Sequence, residues 1–245
     1  MLRTITAVLF AVVWLIVMTP VLGIEWIIGK FNKPLEDQSS LHLVQRALGF
    51  IVKICGVDLT IIGKERIPKN RAVLYACNHR SYFDIIIGYS LMPGLTGYIS
   101  KDTLKKVPLL RRWMMRLYCL FLDRGDPRQG IQMIKDASAN IEKGISMCIF
   151  PEGTRNHGEE GTLLEFKRGS FKIAEKTGCP VVPIAVSNSA EIIGNHMPKV
   201  TPCHVIFEYG EPIYTDQMDR KEQKKLHIRT QEAIQKMLDK HADMI

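Results

Sequence analysis

Ala72-Val73-Leu74-Tyr75-Ala76-Cys77 runs directly into Asn78-His79-Arg80-Ser81-Tyr82-Phe83-Asp84 and then into Ile85-Ile86-Ile87-Gly88-Tyr89-Ser90-Leu91. The first run is short, apolar and closed by Asn78, which reads as a buried strand. The middle is a polar turn. From residue 83 the pattern is helical. A strand feeding a helix through a polar turn is the unit from which α/β sheets are built. In such sheets functional side chains gather where strands end and helices begin.

The same alternation continues on both sides. Further β-rich runs fall at 57–62, 97–100, 119–123, 147–150, 181–186 and 204–209. Helical patterns lie between them at 109–117, 128–143 and 167–176, the last stopped by Gly178 and Pro180. An amphipathic helix is predicted over 219–240, with Leu226, Ala233, Ile234, Met237 and Leu238 on its apolar side. The expected fold is therefore α/β, a mixed central sheet flanked by helices. The chain's 245 residues suffice for one such domain and a short appendage. With 46% hydrophobic and 24% charged residues, wholesale disorder is excluded. No solenoid repeat or low-complexity run interrupts the chain.

The appendage is expected at the N-terminus. Residues 5–22 are apolar apart from Thr6, Thr19 and Pro20. That run is near the lower limit for a spanning helix and too long for a typical signal-peptide core. Whether it spans or dips into the bilayer and returns stays open. Lys30 and Lys33 follow it, which puts the C-terminal side in the cytoplasm by the positive-inside tendency. A second segment, 41–57, is amphipathic, with Leu43, Val44, Ala47, Phe50, Ile51 and Ile54 at helical spacing; it fits the bilayer interface or a helix packed on the domain. The division expected is 1–58, membrane-associated helices, and 59–245, the body.

The net charge is +8. Between Lys101 and Arg128, eight Lys and Arg stand against three Asp, so most of the excess sits in one stretch. That stretch fits a solvated face, a nucleic acid, an anionic membrane or a phosphorylated substrate. No aromatic-basic interleaving supports nucleic acid. Six cysteines form no C-x-x-C pair and mostly sit in apolar runs, which implies buried thiols in a reducing compartment. Cys77 lies two residues from His79, but the apolar run ending there favours a core thiol over a nucleophile.

Three polar clusters fall at strand ends, and an apolar one joins them. In the first, His79 and Asp84 are five residues apart, which places them about 140° apart on a helix. They meet only if His79 lies in the turn and Asp84 in the first helical turn. A carboxylate there fixes the imidazole tautomer and leaves the other nitrogen to take a proton from a hydroxyl. The same spacing equally fits a turn histidine capping a helix. The second cluster is Phe150-Pro151-Glu152-Gly153-Thr154-Arg155. Gly153 lets backbone N–H groups approach an anion and Arg155 suits a phosphate fork, although Pro-Glu-Gly-Thr is also simply a good turn. The third holds Lys101, Lys105 and Arg124. The fourth, Val182-Pro183-Ile184, has a proline inside a strand, which implies an edge strand or a site-lining wall.

In order, Asn-His-x4-Asp, Leu104-Lys105-x-x-Pro108, Leu122-Asp123-Arg124, Phe-Pro-Glu-Gly-Thr-Arg and Val-Pro-Ile resemble the 1-acylglycerol-3-phosphate acyltransferase family over about 57–212. The N-terminal helices also resemble that family's membrane-docking pair. The resemblance implies a glycerol-3-phosphate acyltransferase-like fold in 59–245 and a catalytic base, His79, oriented by Asp84. It implies acyl transfer from a thioester to the sn-2 hydroxyl of lysophosphatidic acid, giving phosphatidic acid. Glu152, Gly153, Thr154 and Arg155 would hold the glycerol phosphate with help from Lys105 and Arg124. Val182, Pro183 and Ile184 would line the site. Acyl-CoA or acyl carrier protein would be co-substrate; a thioester is already activated, so neither metal nor other cofactor is expected. Partners would be lysophosphatidic acid and an anionic membrane surface, with no nucleic acid, at the cell membrane. After Pro108 this chain departs from the family pattern, reading Leu109-Leu110-Arg111-Arg112 where many relatives carry Gly.

Three rivals remain. A lipid hydrolase needs a Gly-x-Ser-x-Gly elbow, which the chain lacks. A non-catalytic module binding anionic membranes leaves the ordered motifs unexplained. Another lysophospholipid or an amino-lipid is an alternative acceptor.

Overall fold

The structure is a computed structural model that describes residues 1–123 and 125–245. Helices α1 (Leu2–Val17), α2 (Thr19–Phe31) and α3 (Lys33–Cys55) come first. Strands β1 (Asp58–Ile62) and β2 (Leu74–Cys77), helix α4 (Tyr82–Leu91), β3 (Thr96–Lys101), α5 (Pro108–Arg116) and β4 (Leu120–Leu122) follow. The chain then forms α6 (Pro127–Glu142), β5 (Ser146–Ile149), α7 (Lys172–Thr177), β6 (Val181–Ser187), β7 (His204–Tyr209), α8 (Arg220–Gln223) and α9 (Leu226–His241).

The described strands make one sheet in the order β1-β7-β6-β2-β5-β3-β4. Only the β6–β7 pairing is antiparallel among them. The mixed α/β sheet expected from the sequence is what forms. Strand alternation decides which layer each residue joins. Tyr75 and Cys77 of β2 enter one core with Phe83 and Ile87 of α4, Leu41 and Ile51 of α3, and Ala7 of α1. Leu74 and Ala76 enter the other, with Ala137 of α6, Ile173 of α7, and Ile234 and Leu238 of α9. With helices on both faces, the central strands have no polar side to show, and β6 is buried at every residue.

Three expectations need correction. The apolar run 5–22 is not one helix: α1 and α2 meet at a 46° bend. Pro20 lies in the first turn of α2, where its missing N–H and its ring, which would clash with the preceding turn, are tolerated. No single described helix is long and apolar enough to cross a membrane, and α1 with α2 meets the length and composition only as a bent pair. At the other end, 219–240 divides into α8 and α9. Finally, Pro183 does not mark an edge, because β6 lies inside the sheet between β7 and β2. Its carbonyl accepts from Gly210 N (2.8 Å). It falls between the β7 ladder, which starts at Ile184–Tyr209, and the isolated bridge Val181–Ile213, so the partner segment bulges there by one residue. A bulge leaves one position without a ladder bond, and that is where a residue lacking N–H fits.

Candidate active site

β2, β5 and β6 lie side by side and parallel, so the segments after them emerge at one edge of the sheet. Those segments are Asn78–Asp84, Phe150–Arg155 and Asn188–Ser189. Asn78 fixes the first of these: its side chain donates to Val186 O (2.9 Å) and accepts from Val186 N (2.8 Å), continuing the β2–β6 ladder with an amide side chain.

α4 begins with Ser81 as N-cap and Asp84 closing a capping box. Asp84 is buried, and its Oδ2 accepts from Arg80 N (2.7 Å), Ser81 N (2.7 Å) and His79 Nδ1 (2.8 Å). Its Oδ1 accepts from the Ser189 hydroxyl. Of the alternatives left by the sequence, the pairing forms, whereas the helix is capped by Ser81 and Asp84 rather than by the histidine. The carboxylate caps the helix and holds the imidazole together. The His79 ring stacks on Phe150, with centroids 4.1 Å apart and planes inclined by 23°. Its Nδ1 engaged by Asp84, the imidazole directs Nε2 away from the carboxylate, and its side chain remains 12% exposed.

The loop after β5 holds the same histidine by its backbone. His79 N donates to Glu152 Oε1 (2.7 Å), and Asn156 N donates to His79 O (2.7 Å). Glu152 Oε2 accepts from Leu164 N (2.9 Å). Glu152 is 2% exposed, and burial pushes its carboxyl above the usual range, with those two hydrogen bonds pulling the other way. The substrate role expected for Glu152 does not fit this placement: both oxygens are engaged by the protein, and an anion gains nothing from a carboxylate. Gly153 adopts φ +76°, the left-handed region that a residue with Cβ resists. Thr154 is exposed and Arg155 half-buried at the rim, with the guanidinium carbon 4.2 Å from the Tyr82 ring centroid.

The other sequence-predicted residues lie elsewhere. Lys105 is exposed, with its ammonium 5.7 Å from the Phe121 ring, and lines a groove with Arg111 and Gln129 outside the His79–Asp84–Glu152 network. Arg124 falls outside the described residues. Val182 and Ile184 are fully buried in the core with Tyr75 and Cys77, so they support the floor of the site. Cys77 is also a core thiol: it donates to Asn78 O (3.2 Å), and burial raises its pKa well above the ordinary thiol value. Ser81 is occupied as a cap, accepting from Phe83 N (3.2 Å). Sequence reasoning missed Ser189 and the Phe150 stack; nothing local marks a serine 105 residues from its partner.

Two cavities lie close to the site, one bordered by Tyr82 and the other by Phe150. One, about 380 Å³, is lined by apolar groups of the N-terminal helices and of α4 and α5, among them Trp14, Val44, Tyr82, Ile86 and Trp113. The other, about 370 Å³, reaches Phe150, Gly153 and Lys167. The arrangement can hold a proton-accepting imidazole beside a hydrophobic slot, with a guanidinium at the rim.

Comparison with known proteins gives a consistent picture. The family described as Acyltransferase matches residues 58–187. A 1-acyl-sn-glycerol-3-phosphate acyltransferase of Saccharomyces cerevisiae is 32% identical over 193 residues, covering 73% of this chain and 61% of that protein. One of Cocos nucifera is 34% identical over 176 residues, covering 71% and 55%. The chain therefore spans little more than half the length of these relatives. The crystal structure of the 1-acyl-sn-glycerophosphate (LPA) acyltransferase PlsC from Thermotoga maritima shares the fold, with a TM-score of 0.77, 23% identity and 97% of each chain covered.

Proposed function

The chain belongs to the acyltransferase family, and from that premise we propose that it acylates the sn-2 hydroxyl of lysophosphatidic acid to give phosphatidic acid. The observation that carries the reading is the His79 Nδ1–Asp84 Oδ2 contact of 2.8 Å. It fixes the tautomer in which Nε2 is unprotonated and can accept a proton. In the proposed step Nε2 takes the hydroxyl proton while the oxygen attacks the thioester carbonyl. The C–O bond forms, the C–S bond breaks, and the imidazolium returns its proton to the leaving thiolate. No acyl-enzyme is required, which suits a site whose nearby Cys77 and Ser81 are both committed to the fold.

Acceptor recognition falls to Arg155, a bidentate phosphate partner, with Gly153 and Thr154 beside it. The names of the yeast and coconut relatives support lysophosphatidic acid as acceptor. The apolar cavity suits an acyl chain. The donor is an acyl thioester of coenzyme A or of acyl carrier protein. Attachment to a membrane is supported by exposed Val8, Leu9, Val12, Val13 and Ile16 on α1 and Ile24, Trp26, Ile27 and Phe31 on α2. The basic excess between Lys101 and Arg128 suits an anionic surface, and Lys30 and Lys33 after the apolar run would put the body on the cytoplasmic side.

The test is product formation by purified protein from lysophosphatidic acid and either thioester. Phosphatidic acid is expected with at least one donor. Its absence with both overturns the reading, and acylation of another lysophospholipid alone would replace the acceptor.

A further inference from the structure

Phe150 stacks on His79 from one side and lines the second cavity on the other. That cavity lies against α6, with Ile99, Met133, Ile134 and Ile149 in its walls. Its polar groups are Lys167, Ser170, Asp123 and Asp126. The two carboxylates are engaged by their own loop: Asp123 accepts from Gly125 N (2.9 Å), and Asp126 from Arg128 N (2.9 Å) as the cap of α6.

Lys167 is placed differently. Its main-chain N–H donates to Pro151 O (2.9 Å), which fastens it to the loop that also holds His79. Its ammonium lies over Gly153: a Cβ added to that glycine would stand 2.7 Å from Nζ. The neighbouring cations Arg168 and Lys172 both pair with Glu175. Lys167 takes part in none of the ion pairs among the described residues. An ammonium without a carboxylate partner, over a glycine in a turned loop and facing a cavity with a hydroxyl, is an anion subsite in waiting. Arg155 stands apart from it, stacked on Tyr82, a residue that lines the apolar cavity.

We infer that Lys167, with Ser170, binds a phosphate group of the acyl donor in the second cavity, separately from the acceptor's single phosphate, which falls to Arg155. This rests on the acyltransferase reading, in which two phosphate-bearing molecules converge on His79. The ligand is the phosphate ester of the donor's phosphopantetheine carrier.

The test compares wild type, Lys167→Gln and Lys167→Arg, all full-length and checked for native circular dichroism. Lysophosphatidic acid, acyl-coenzyme A and an acyl-pantetheine lacking phosphate are varied in turn. Lys167→Gln should raise KM for acyl-coenzyme A about tenfold with kcat within about twofold, and Lys167→Arg should recover most of it. A rise for lysophosphatidic acid instead overturns the inference. A rise for acyl-coenzyme A but not acyl-pantetheine assigns the carrier. KM values within twofold for both, or an equal rise for acyl-pantetheine, overturn the inference. Calorimetric titration of each protein with coenzyme A and with glycerol 3-phosphate reads the subsite without turnover. Weaker binding of coenzyme A alone to Lys167→Gln supports the inference even if wild type makes no phosphatidic acid and the functional reading fails. Unchanged binding of coenzyme A overturns it.

Discussion

Asp84 turns one carboxylate oxygen to His79 and the other to Ser189, so a residue after β6 takes part in orienting the imidazole that follows β2. Ser189 is fully buried, and two residues earlier Ser187 hydrogen-bonds His241 Nδ1 (2.8 Å), which meets Glu208 through Nε2 (2.8 Å). The segment carrying Ser189 is therefore tied to the C-terminal helix, and its hydroxyl is held in place.

Ser189→Ala should lower kcat about tenfold with KM nearly unchanged, because a buried hydrogen bond to a charged group is worth roughly 1.5–3 kcal/mol. Ser189→Thr, which keeps the hydroxyl, should restore the rate. A loss of stability with kcat unchanged would reduce Ser189 to a packing role.

The sequence made the β2–turn–α4 unit legible because its signals are local: an apolar run, a polar turn and a helical pattern that carries Asp84 in its first turn. The sheet order and the Ser189 contact depend on which strands become neighbours, which no local pattern encodes. Pro183 misled for the same reason, since a bulge in a partner segment decided that it could lie inside the sheet. Glu152 lies beside His79 but its carboxylate is turned to the backbone N–H groups of His79 and Leu164, and spacing cannot say whether a carboxylate faces a substrate or the main chain. The apolar run 5–22 concealed a bend because composition alone does not register what Pro20 does to the turn before it.

Glu152→Gln should destabilise the protein by about 1–3 kcal/mol, since an amide presents a donor to one of the two N–H groups that a carboxylate satisfies. The pH dependence has a defined sign. Burial raises the Glu152 pKa above its ordinary 4.5, so its contribution to stability is full below that value and fades as pH rises through the raised one. The difference in unfolding free energy between wild type and variant, from urea titrations, should widen as pH falls from neutrality. A difference that narrows would contradict the burial argument.

Val8→Glu combined with Val12→Glu places charge on the exposed apolar face of α1. Burying each valine at a bilayer is worth roughly 1.5–2 kcal/mol, so the pair should release the protein from anionic vesicles in a flotation assay. Turnover in detergent micelles should persist. Equal flotation of variant and wild type would mean that α1 does not dock.

The central claim is that His79 is the base. The direct measurement is the rate of phosphatidic acid formation by wild type and His79→Ala, with native circular dichroism and thioester binding confirmed for both. The account predicts a loss of about 10²–10⁴ in kcat. A His79→Ala enzyme within about tenfold of wild type would contradict it.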